Sequence, residues 1–123
     1  MLFRSKICMV TNGDGGAFWT LAKAGAVRAG DDLGVSFDYQ EAGDDSAKQA
    51  TLIESDIASG CKAIAVTVSD AEALKTVMAK AVAAKVALVT MTSGAASSSD
   101  LGAFTHIGQD ARASAQQIGR AHV

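Results

Sequence analysis

The chain is predicted to be an α/β domain built on a doubly wound parallel sheet, and three observations carry that prediction. Five short apolar runs, at residues 6–11, 35–40, 63–68, 86–90 and 104–108, alternate with stretches whose apolar residues recur every three or four positions. The runs at 63–68 and 86–90 are apolar almost throughout, as in parallel strands covered on both faces. Gly, Asn, Asp and Ser gather at the junctions, where turns need their backbone freedom and short side chains. Strand and helix in strict alternation imply right-handed crossovers and a sheet with helices on both faces.

Each element follows from its own signal. Residues 6–11 (KICMVT) form the first strand, and Asn12, Gly13, Asp14, Gly15 and Gly16 the loop after it. From Ala17 the spacing of Phe18, Leu21, Ala22, Gly25, Ala26 and Ala29 draws one buried helical face. Residues 30–34 end that helix, with Gly34 suited to a left-handed C-terminal turn. Residues 35–40 (VSFDYQ) alternate as a second strand. Ser46 is the expected cap of the next helix, Ala50, Ile53 and Ile57 its buried stripe, and Gly60 its stop. After strand 63–68, Ser69 or Asp70 caps a helix through Ala84 that buries Leu74, Val77, Met78 and Ala81. Strand 86–90 leads into a Ser- and Gly-rich loop at 92–100, then strand 104–108, and Asp110 opens a last helix.

Length and composition narrow the function. The 123 residues suffice for one compact domain. A net charge of −2 offers no basic surface for nucleic acid or anionic lipid. No apolar run is long enough to span a bilayer, and residues 7–10 are too short for the core of a signal peptide. Cys8 and Cys61 are too few and too far apart for a disulfide framework or zinc motif, and read as small buried hydrophobic side chains.

The two ends look foreign to the rest. Residues 1–5 back-translate to GTG CTC TTC CGA TCT and residues 118–123 to ATC GGA AGA GCA CAC GTC. The two strings are reverse complements over most of their length and look like the strands of a common short-read sequencing adapter. Residues 1–5 and 118–123 are therefore expected to be read-through scars flanking an incomplete lobe at 6–117. The alternative is a genuine small flavodoxin-like protein with unusual termini.

Catalytic and cofactor motifs are weak. Gly13 and Gly15 begin a G-x-G-x-x-G pattern, but its third position is Phe18, and no Gly-Lys-Ser/Thr follows. There is no G-x-S-x-G elbow and no metal-ligand spacing. His106 has no nucleophile beside it, so no catalytic residue, metal or cofactor is assigned and the chain is not read as an enzyme. Open parallel sheets place ligands outside the carboxyl ends of their strands, which directs attention to the loops after Thr11, Gln40, Val68, Thr90 and Gly108. Neighbours on a helix differ by about 100° in direction, so of Phe18 and Trp19 one can pack inward while the other faces a cleft. An exposed ring there can stack on a sugar, with Asn12, Asp14, Thr67, Thr92, Ser93 and Gln109 bonding its hydroxyls. Taken singly, each reads more simply as a core wedge or an ordinary loop residue.

What gathers them is a resemblance. Phe18-Trp19 through Gly25, then Ala29, Leu33-Gly34-Val35 and Tyr39, resemble the aromatic pair, first helix and second strand of the type I periplasmic binding proteins, in their ribose and simple-sugar branch. Gln49 to Ile53 with Ile57, Asp70 to Leu74, Ser93-Gly94 and His106 to Asp110 continue it in order and spacing. The resemblance implies the flavodoxin-like, N-terminal half of a type I periplasmic-binding-protein fold. It implies sugar contacts at Thr11 or Asn12, Phe18, Trp19, Thr67, Thr92, Ser93 and Gln109. It also implies a monosaccharide-like ligand held between two lobes, a membrane permease of an ABC transporter as partner, and a periplasmic or membrane-tethered extracellular location. Thr92-Ser93 stands where ribose binders carry Asp-Arg, closer to the Asn-Ser-Gly of other branches. A sugar-responsive transcription regulator of the LacI type, whose effector domain shares the fold, is the alternative, with a small signalling module behind it. A half-fold would leave apolar surface open to self-association.

Overall fold

The structure, a computed structural model, describes residues 5–109 and 111–121. The elements are β1 (Lys6–Thr11), α1 (Ala17–Leu33), β2 (Ser36–Glu41), α2 (Ser46–Ala58), β3 (Ala63–Val66), α3 (Ala71–Ala83), β4 (Ala87–Met91), β5 (Thr105–Ile107) and α4 (Ala111–Ala121), with a 3₁₀ turn at Ala95–Ser97. All five strands are parallel, in the order β2-β1-β3-β4-β5. The order reverses between β1 and β3, so right-handed crossovers put α1 on one face and α2 and α3 on the other. Among the described residues no helix is long and apolar enough to cross a membrane. Of the expected terminal scars, residues 1–4 and 122–123 lie outside the described residues, as does the helix start expected at Asp110; residues 118–121 continue α4.

Several boundaries move for local reasons. Helix α1 does not stop at Gly30 but runs through it to Leu33, and Gly34 closes it in the left-handed conformation (φ 69°). A Cβ at Gly30 would lie 3.1 Å from both Phe37 Cβ and the Val35 carbonyl oxygen, so glycine there lets α1 sit close on β2. The cap of α2 is Asp45, not Ser46: its carboxylate accepts from the Lys48 amide at 3.0 Å. Asp70 caps α3 as expected, accepting from the Ala73 amide.

Helices lie on both faces as expected, but they cover the sheet unevenly. Cys8 and Val10, Ile64 and Val66, and Leu88 and Thr90 are paired across three strands and fully buried under α2 and α3. Leu74, Val77, Met78 and Ala81 of α3 and Ile53 of α2 complete that core, with Ala50 and Ile57 packed against it. On the other face Ile7, Met9, Ala63, Ala65 and Val89 are only half-buried. Helix α1 covers β2 there, and of its expected inward face only Ala26 is buried; Ala22 and Ala29 are half-buried, while Phe18, Leu21 and Gly25 are exposed. The periodicity that draws that face is real, but among the described residues most of it stays open.

A second correction concerns the cysteines. Cys8 and Cys61 are joined in a disulfide across 53 residues, with their Cα atoms 6.0 Å apart. Register explains it: Ile7 pairs with Ala63, and the Lys62 amide donates to the Lys6 carbonyl, extending the ladder back toward Cys61. Beside the disulfide, Asp56 is buried on α2. The Gln40 amide, with its nitrogen toward the carboxylate, donates to both Asp56 oxygens at 2.9 and 3.0 Å. Burial pushes this carboxyl up to about 6, Asp38 adds to the shift and Lys6 opposes it.

Candidate ligand-binding site

The reversal of strand order opens a crevice at the carboxyl ends of β1 and β3, the usual ligand position in such sheets. Here the chain builds a closed polar knot. The Asn12 backbone N–H donates to Thr67 Oγ1 at 2.9 Å, and Thr67 Oγ1 donates to the Asn12 side-chain Oδ1 at 2.6 Å. Thr67 is fully buried with its hydroxyl engaged in both directions, so it fixes the Asn12 side chain in place. Thr11 is also fully buried, and its hydroxyl accepts from the Gly13 amide at 3.1 Å. The Gln49 amide, buried beneath both strands, donates to the Thr67 carbonyl at 2.6 Å and the Val10 carbonyl at 3.4 Å. Asn12 itself is half-buried and stands at the mouth.

The aromatic pair divides as its helical angle requires. Trp19 lies on the loop after β1: a Cβ at Gly13 would come within 2.8 Å of its ring, so only glycine allows that contact. Phe18 meets it edge to face, with centroids 4.9 Å apart, and is 62% exposed. Phe18 is thus the ring presented to solvent and Trp19 the ring that supports it. Exposed Asp14 accepts from the Gly16 amide at 3.0 Å and shapes the turn into α1.

The loops after β3, β4 and β5 are laced together at the same end. The Val68 amide donates to the Ser93 carbonyl, and the Thr92 amide to the Ile107 carbonyl. Thr92 is exposed and has a φ of 57°, a left-handed conformation that a β-branched residue rarely adopts. Ser93 is half-buried and Gln109 exposed. Beneath them Thr90 donates to Ser98 at 2.7 Å and lies 2.8 Å from His106 Nδ1, so His106 is tied into the sheet. The nine expected residues therefore fall in two sets, one over β1 and β3 and one over β4 and β5.

Three polar residues with a structural role here are not among the expected site residues. Gln49 and Asp56 sit at the ends of the stripe Gln49-Leu52-Ile53-Asp56, whose helical spacing was the signal available. Tyr39 is the third. Its hydroxyl is 3.1 Å from Glu41 Oε1 and 3.3 Å from the Trp19 carbonyl, and burial raises its pKa, with Glu41 adding to the shift. An open cleft of ≈ 430 Å³ between α1 and the end of β2 is lined by Gly15, Thr20, Lys23, Tyr39 and Glu41, none of them among the nine.

Comparison with known proteins follows the same lines. The periplasmic binding protein domain family matches residues 7–123. No curated protein sequence matches the chain. A carbohydrate transporter from Acidothermus cellulolyticus, solved with myo-inositol, is 32% identical over 97% of this chain and 42% of its own, with a TM-score of 0.86. An arabinose-binding protein from Geobacillus stearothermophilus is 27% identical over 96% of this chain and 41% of its own, with a TM-score of 0.82. A periplasmic sugar-binding protein from Legionella pneumophila, at 22% identity and a TM-score of 0.85, shares the fold. The chain thus spans about two fifths of the length of these solved relatives.

Proposed function

The chain belongs to the periplasmic binding protein domain family, and from that premise we propose that it supplies one lobe of a solute receptor for a small sugar or polyol. In this reading the receptor works in the periplasm and delivers its ligand to the membrane permease of an ABC transporter. The single observation that carries it is the polar knot of Asn12 and Thr67 at the strand-order reversal, set beside the exposed ring of Phe18. A ring face can stack on the apolar side of a pyranose or inositol, and a fixed amide can read a neighbouring hydroxyl. Asn12, Phe18, Thr92, Ser93 and Gln109 are proposed to touch the ligand. Thr11, Asp14, Trp19 and Thr67 are proposed to hold those contacts in place, since their polar groups or rings are already engaged within the lobe.

One lobe gives one wall. Tight binding of a small ligand needs most of its surface enclosed, which in two-lobed receptors comes from hinge closure. The isolated chain is therefore expected to bind sugars more weakly than about 1 mM, a free energy of roughly −4 kcal/mol. The test is a chimera in which this chain replaces the matching lobe of the Acidothermus protein, titrated by calorimetry with pentoses, hexoses and myo-inositol. Binding that is lost in Asn12→Ala and Phe18→Ala supports the reading. A folded chimera that binds none of the panel overturns it.

A further inference from the structure

We propose that the reduced chain holds a zinc ion between Cys8, Cys61 and Asp56, a site on the packed side of the sheet and separate from the sugar crevice. The three residues come from β1, the turn before β3, and α2, so no sequence motif marks them. Their two sulfurs and a carboxylate oxygen all lie within 4.8 Å of one another. They are 0%, 3% and 2% exposed. Zinc ligands at tetrahedral angles and about 2.0–2.3 Å from the metal stand roughly 3.3–3.8 Å apart, a spacing this cluster can adopt once the sulfurs part. The 6.0 Å between the two Cα atoms allows that parting by rotation of the cysteine side chains.

Asp56 brings a third ligand atom to the two sulfurs. Its carboxylate is buried beside them, and the Gln40 amide holds it in place by donating to both of its oxygens. Two thiolates and one carboxylate are a donor set that zinc takes readily, since its positive charge offsets theirs. The Gln40 amide, donating to both Asp56 oxygens, would then be the outer partner that orients the ligand. The fourth position falls to water or to Ser59, whose Oγ is 3.7 Å from Cys61 Sγ.

Disulfide and metal exclude each other. A water-soluble phosphine breaks the S–S bond and yields two thiols; it takes its oxygen from water, whose two protons end on the sulfurs, and leaves as the phosphine oxide. Zinc then displaces both thiol protons to solvent as two S–Zn bonds form. Either state ties the start of β1 to the start of β3.

The test uses the whole chain, reduced with phosphine, desalted without oxygen and titrated with Cd²⁺, then with Zn²⁺ in competition. Thiolate-to-cadmium charge transfer absorbs in the ultraviolet, where one Trp and one Tyr leave a low background. One metal per reduced chain is expected, with none in the oxidised chain, no such band in Cys8→Ser, and binding at least about tenfold weaker in Asp56→Asn. Asp56→Asn keeps the side chain's shape, so it decides the matter if the cysteine variant fails to fold. The proposal is overturned if the reduced chain shows no band, if the oxidised chain binds equally well, or if Asp56→Asn binds as tightly as the parent.

Discussion

The two faces of one sheet have opposite characters. Under α2 and α3, every strand residue from Cys8 and Val10 across to Leu88 and Thr90 is sealed. On the α1 side, Ile7, Met9, Ala65 and Val89 belong to the same strands yet stay half-open. Apolar side chains occur on both, so composition does not separate them. What separates them is a covering layer: two helices packed on each other on one side, and on the other a helix that reaches mainly β2. Hydrophobic residues contribute stability only when something removes them from water.

The disulfide gives the strongest means of breaking that contrast, because it anchors the packed face. Reducing it, with metal kept away, should cost about 4 kcal/mol on the loop-entropy argument for a 53-residue separation. Urea unfolding with and without reductant measures this, and a loss under about 1 kcal/mol would show that packing alone holds β1 to β3.

Next comes the same residue type on opposite faces. Leu74→Ala, at a fully buried site, should cost about 3 kcal/mol. Leu21→Lys, at a site 75% exposed, should stay within about 0.5 kcal/mol and reduce self-association in sedimentation velocity. Equal losses at the two positions would mean that α1 is packed after all.

Asp56 sharpens the comparison through pH. In the disulfide-bonded protein burial pushes its carboxyl up to about 6 from an ordinary 3.8, so between those values the folded state keeps a proton that the unfolded state has lost. Its contribution therefore weakens stability as pH rises through that window and is fully unfavourable above it. Unfolding midpoints from pH 4 to 7 should fall more steeply for the parent than for Asp56→Asn. Parallel curves would remove Asp56 as the cause.

The smallest effect lies at the carboxyl end. Thr92→Asn should stabilise by about 1 kcal/mol, because Asn tolerates the left-handed backbone that Thr strains to adopt. Thermal unfolding checks the sign. In the chimera the same variant should alter ligand preference, since residue 92 is proposed to face the sugar.

Much of this was legible in the sequence, and unevenly so. The spacing of Leu74, Val77, Met78 and Ala81 predicts a buried stripe and all four are buried, because a helix packed along its length prints its period on the sequence. The same reasoning applied to Phe18, Leu21 and Gly25 draws a face that is exposed among the described residues. Periodicity shows which side of a helix is apolar; it carries no information on whether a second layer exists. The loops at the carboxyl ends of the strands were legible from the order of elements. The division of labour among them, with Thr67 spent on Asn12 and Phe18 facing outward from Trp19, was not.

The sequence by itself determined the order of strands and helices and the Asp70 cap of α3, because these rest on periodicity and contacts within a few residues, and strict alternation of strand and helix then implied the parallel α/β class. Tertiary structure alone decided that Cys8 meets Cys61 across 53 residues and that Asn12 meets Thr67 across 55. Both meetings depend on the register of β1 against β3. A parallel register is set by the sum of side-chain packing across the sheet, and no single stretch of chain contains it.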